Sequence, residues 1–181
     1  MKKFIITTLA LIGSRVFDVL TTYWYIPDLK GETNPLVSIL GLGWSGALII
    51  QLLVLAGLIY CSYAYHFKTV QVPSFETSIR LTEFISLYHF KAKNKFFQLF
   101  YKLPSNPHSL MSSVGGIVPN GLIAFSLLVG TSTTGLILIE TYRMVYKQYH
   151  IPVFLYLASA LLMVYFSIRF YSGEKQRRLI R

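Results

Sequence analysis

Four apolar stretches, at about 4–26, 45–65, 117–141 and 152–172, constrain this chain more than anything else in it. A bilayer hydrocarbon core is about 30 Å thick, and a helix needs roughly 20 residues to cross it. Each stretch is long enough. With 54% hydrophobic and only 13% charged residues among 181, what remains is too short for a separate soluble domain. The expectation is a single all-α integral membrane domain of four transmembrane helices. Met1-Lys2-Lys3 ahead of Phe4 resembles the start of a signal peptide, but no small-x-small cleavage site follows. Tyr23-Trp24-Tyr25 closes the stretch instead, so the first helix is expected to be retained, with an aromatic anchor at its outer end.

The formal net charge of +10 raises the question of nucleic acid, and the distribution of the charge answers it. If both ends of the chain are cytoplasmic, 13 of the 17 Lys and Arg fall on inner segments. Three (Lys30, Arg143 and Lys147) fall on outer loops, and Arg15 lies within a span. That asymmetry is the positive-inside pattern and predicts an N-in, C-in topology. The basic charge reads as topology and attraction to anionic lipid, with no nucleic-acid partner.

Between the spans, Asn34-Pro35 reads as a helix start, with Asn as cap and Pro at the first helical position. Gly41, Gly43 and Gly46 follow closely, so a short outer helix over 35–41 and a break are expected before the second span. Residues 66–113 form a long cytoplasmic connection. Helical spacing over 75–103 places Leu81, Ile85, Tyr88, Ala92, Phe96, Leu99 and Leu103 on one stripe, flanked by Lys91, Lys95, Gln98 and Lys102. This predicts an amphipathic helix in the inner interface, its apolar side in lipid and Lys91, Lys95 and Lys102 toward headgroups. Ser126, Gly130 and Thr134 recur every four residues in the third stretch, the spacing that lets membrane helices approach closely. Residues 173–181 read as a basic cytoplasmic tail.

Two formal charges sit inside the first stretch. Arg15 and Asp18 are three residues apart, share a helix face and can pair. Charges at that depth cost about 2.5–3.5 kcal/mol each on insertion scales, so they are rare unless paired or used. One reading is a buried ion pair that fixes helix packing. The other is a polar binding site in the outer half of the bundle, built from Arg15, Asp18, Thr22, Glu32, Asn34 and Glu140, able to hold a proton, a hard cation or a polar substrate group. Glu32 and Asn34 also read as helix caps, and Glu140 as a solvated residue at a helix end. Thr131-Ser132-Thr133-Thr134 either hydrogen-bonds across to Thr21 and Thr22 or satisfies its own backbone, the commoner case.

Catalytic and metal signatures are weak. Gly43-Trp44-Ser45-Gly46 resembles the serine motif of rhomboid intramembrane proteases, yet His66, His89, His108 and His150 all fall at span ends or in connections, where none activates that serine. The scattered histidines and the single Cys61 argue against haem ligation or zinc hydrolysis, and no cofactor is implied. No glycine-rich phosphate loop follows a strand.

The run Ser14-Arg15-x-x-Asp18-x-x-Thr21-Thr22, followed by Glu32-x-Asn34-Pro35-Leu36, resembles the signature of an uncharacterised family of small polytopic bacterial membrane proteins, over residues 14–65. The resemblance implies a bacterial inner-membrane protein and carries no activity with it. On the residues, the leading expectation is a non-enzymatic binding or accessory subunit, in contact with membrane lipids and with a membrane-protein partner or a second copy. A proton- or cation-coupled carrier using Asp18 is the alternative, and a membrane-embedded enzyme on lipid or peptide the third.

Overall fold

The computed structural model describes residues 1–29, 41–76 and 78–179. Among these, all regular structure is helical: α1 (Lys2–Tyr25), α2 (Trp44–Phe67), α3 (Leu81–Phe90), a 3₁₀ turn (Phe96–Phe100), α4 (Pro107–Leu138), α5 (Glu140–Gln148) and α6 (Ile151–Leu179). α1, α2, α4 and α6 are long and apolar enough to cross a membrane. Their outward faces carry Leu52, Leu53, Val54, Phe154, Leu161 and many similar side chains in the open, a surface that water does not tolerate at this extent.

α4 is the central helix. α1, α2 and α6 each pack against it far more extensively than α1 and α2 pack against each other. Small residues make this possible. A Cβ on Gly115 would lie 2.0 Å from the Cys61 carbonyl oxygen, so α4 and α2 meet backbone to backbone. A Cβ on Gly130 would lie 2.5 Å from the Phe17 ring of α1, and Ser126 one turn earlier is fully buried. The spacing of small residues therefore does what the sequence predicts. On α1 the buried residues Leu11, Ser14 and Thr21 form the facing seam. At the far end the Trp44 indole N–H donates to the Pro27 carbonyl at 2.8 Å, and the Tyr23 and Trp44 rings meet edge to face, joining the end of α1 to the start of α2.

Several boundaries differ from expectation. α4 begins at Pro107 rather than near 117, because Asn106-Pro107 works as cap and first helical residue. The Asn106 Oδ1 accepts from the His108 N–H at 3.0 Å. Gly115, Gly116, Pro119 and Gly121 then lie inside the helix, where close neighbours compensate for their poor propensity. The basic segment from 173 is a continuation of α6 as far as Leu179. The expected short helix over 35–41 lies outside the described residues except for Gly41, whose φ of +64° suits glycine at the expected break.

The amphipathic helix over 75–103 needs the larger correction. Helix α3 runs for only ten residues and stops at Lys91, which adopts φ 55° as a left-handed cap, with Asn94 at φ 60° close behind. Nor does α3 lie with one face open to lipid. Phe84, Ile85, Leu87 and Tyr88 are buried with Val70, Ile79, Ile117, Phe170 and Tyr171 in the main core cluster. The reason is length. At 1.5 Å per residue α4 and α6 reach about 48 and 44 Å, beyond the roughly 30 Å hydrocarbon core, and α3 packs against their extra turns. Lys175 Nζ secures it, donating to the Ile79 carbonyl.

Candidate functional site

Arg15 stands near the middle of α1 and reaches three helices. Its guanidinium donates to Asp18 Oδ2 at 2.6 Å on α1, to Ser126 Oγ at 2.9 Å on α4 and to Gln51 Oε1 at 3.0 Å on α2. The planar fork suits this arrangement, since one terminal nitrogen serves Asp18 and Ser126 while the other serves Gln51. Both charged side chains are mostly covered, at 18% and 13% exposure. The pairing expected from the i, i+3 spacing is present. Gln51 and Ser126 are the partners that sequence reasoning missed. Ser126 was visible as a small residue and Gln51 as a polar residue in an otherwise apolar α2 stretch, but nothing local put them at the level of Arg15.

The other residues expected at this site do not gather around this centre. Thr22 is half-buried, and Glu140 is exposed at the start of α5. Twelve residues of α4 separate Ser126 from Leu138, about 18 Å along the axis, so Glu140 is far from the Arg15–Asp18 level. Glu32 and Asn34 lie outside the described residues. In the 131–134 run, Ser132 bonds the Tyr142 hydroxyl of α5 at 2.8 Å, and Thr134 donates to the Gly130 carbonyl of its own helix. Thr21 donates to the Phe17 and Asp18 carbonyls of its own helix. Lys91, Lys95 and Lys102 are exposed. The exposed apolar side chains among them are Phe97, Phe100, Tyr101 and Leu103. Phe96 and Leu99, expected on the lipid-facing stripe, instead pack against the core.

A second polar cluster lies where α3 packs between α4 and α6. The His89 ring is 1% exposed, with Nδ1 3.2 Å from Ser109 Oγ and Nε2 2.7 Å from the Tyr171 hydroxyl and 3.3 Å from Ser113 Oγ. Tyr88 donates to Ser112 Oγ at 2.9 Å, and the Arg178 guanidinium lies over the Tyr88 ring. Arg178 is held in turn by Glu174, which also binds Arg177. Burial pushes the His89 pKa down to about 4 and the Tyr88 hydroxyl up. Each imidazole nitrogen is enclosed by hydroxyls, so the cluster locks α3 onto the bundle as a neutral network. Ser109, Ser112 and Ser113, three and four residues apart, were its signal in the sequence: a hydroxyl strip on one face of an apolar helix.

Among the described residues no group of three or more His, Cys, Asp or Glu side chains is arranged to hold a metal ion. Ser45 is exposed in the first turn of α2, preceded by the Trp44 that binds Pro27. No protein-family model, curated protein or solved structure matches the chain.

Proposed function

We propose that this chain is a multi-pass protein of a bacterial inner membrane, with both chain ends cytoplasmic, that serves there as a non-enzymatic binding or accessory subunit. One observation carries the reading. The charged and polar groups of the helix interior are bound to one another: Arg15 is shared among Asp18, Ser126 and Gln51 on three helices, the arrangement of a packing clamp. A carrier cycling a proton or cation through Asp18 has to open the 2.6 Å bond at each turnover while Arg15 keeps its two other partners, which weighs against it.

The cytoplasmic assignment is supported by the company the helix ends keep. Phe4 of α1 packs against Tyr63 and Phe67 of α2, and Arg177 of α6 reaches Tyr65, so these termini share one end of the bundle. That is the end richest in Lys and Arg. At the same end Phe97, Phe100, Tyr101 and Leu103 stand exposed beside Lys95 and Lys102, a pattern suited to the headgroup boundary of an anionic leaflet. The bacterial assignment rests on the signature resemblance over residues 14–65. Purification in mild detergent at native abundance tests the accessory role. A stoichiometric membrane-protein partner is expected, and recovery of only a stable monomer or homodimer overturns it.

A further inference from the structure

At the end of the bundle where α1 begins and α2 finishes, α6 leans on α4 without packing closely on α1. The gap is a cavity of about 650 Å³. This lies within the roughly 300–1,000 Å³ of small-molecule sites. Its polar wall is basic. Lys3 comes from α1, His66 from α2, and Arg169 and Arg177 from α6, while α4 adds Asn120.

One carboxylate, Glu174, also lines the cavity, but it is already divided between Arg177 at 3.0 Å and Arg178 at 3.5 Å. Among the described residues Lys3 and Arg169 have no carboxylate partner. The cavity thus carries an excess of positive charge that its own walls do not neutralise. Arg177 is held ready by the Tyr65 hydroxyl at 3.2 Å as well as by Glu174.

The rest of the lining mixes polar groups (Thr7, Tyr65, Ser172 and Gln176) with apolar ones. Ile6, Phe166 and Phe170 are the large apolar side chains among them. The Phe170 ring fits there because residue 116 is glycine; a Cβ would stand 2.3 Å from it. A cationic pocket between membrane-length helices, with Ile6, Phe166 and Phe170 in its lining, matches an amphiphile that has an anionic head.

We propose that this cavity binds a phosphate-type anion, either the headgroup phosphate of an anionic phospholipid or a soluble phosphate ester, through Lys3, Arg169 and Arg177. The site requires no partner protein, so it stands apart from the accessory role.

Native mass spectrometry of the full chain in detergent tests it, with phosphatidylglycerol, phosphatidylcholine and inorganic phosphate as probes. Phosphatidylglycerol is expected to bind more tightly than phosphatidylcholine. The Lys3→Gln/Arg169→Gln protein is expected to lose about 30-fold in phosphatidylglycerol affinity, since each cation beside an anionic lipid is worth about a factor of five. Both side chains are exposed and lack carboxylate partners, so the fold survives their neutralisation. Lys95→Gln/Lys102→Gln, on the surface patch outside the cavity, is expected to leave the affinity unchanged. Phosphatidylglycerol bound undisplaced by millimolar phosphate identifies a lipid site, and displacement by phosphate identifies a soluble ester; both support the anion site. Equal binding of the two lipids, or equal loss in the two variants, overturns it.

Discussion

Replacing Arg15 with leucine takes a shared donor away from three side chains. The two cross-helix bonds, to Gln51 and Ser126, have lengths of 3.0 and 2.9 Å. Interhelical hydrogen bonds in membranes average about 0.6 kcal/mol, with a maximum near 1.7, so together they contribute about 1–3 kcal/mol. The larger effect is on Asp18, left without its guanidinium at 13% exposure. Breaking a buried ion pair by deleting one partner costs about 3–5 kcal/mol. Arg15→Leu is therefore expected to destabilise by roughly 4–8 kcal/mol in total. Asp18→Leu costs less, about 2–3 kcal/mol, because Gln51 and Ser126 still solvate the guanidinium. Arg15→Leu/Asp18→Leu leaves no stranded charge and loses chiefly the cross-helix bonds, about 1–3 kcal/mol. The double variant should thus be more stable than Arg15→Leu alone. Reversible unfolding in mixed micelles, titrated with a denaturing detergent for the four proteins of this cycle, measures the coupling. Additive effects, or a cost for Arg15→Leu below about 1 kcal/mol, refute the clamp.

Three further outcomes follow from the packing. Gly115→Ala places a methyl 2.0 Å from the Cys61 carbonyl, so thermal denaturation in detergent should register a loss of about 3 kcal/mol, while Gly13→Ala, with no atom within 4 Å, should gain up to about 1 kcal/mol; equal effects contradict the backbone contact. Because His89 is depressed to about 4 in the fold against an ordinary value near 6.5, the unfolded chain binds the extra proton, so its stabilisation is present above about pH 6.5 and is lost as the pH falls toward 4. That loss is on the order of 2–3 kcal/mol, and the difference between wild type and His89→Gln, followed by denaturation from pH 7 to 4.5, should narrow accordingly. Phe100→Trp, at a site now 77% exposed, should show blue-shifted emission quenched by brominated lipid after reconstitution; emission typical of water places the patch away from the bilayer.

The long-range arrangement and the local signals contributed differently. Long apolar runs were enough to specify four membrane-length helices, because in lipid each helix satisfies its own backbone and length alone is informative. The Arg15–Asp18 pair was legible for the same reason, as a contact within one turn, and so was the small-residue seam at Ser126 and Gly130. The stripe over 75–103 misled because a 3.6-residue period tells which face is apolar and is silent on what covers it. There the covering came from the projecting ends of α4 and α6, and it drew Tyr88 and His89 into a core far from them in the chain. Tertiary structure alone decided that Gln51 and Ser126 complete the shell of Arg15, that Glu140 stands apart from it, and that Lys3, Arg169 and Arg177 surround one cavity. Each of these is a meeting of side chains from different helices. The register between helices is set by where glycines and serines let backbones touch, a property of pairs of surfaces that no single stretch of sequence contains.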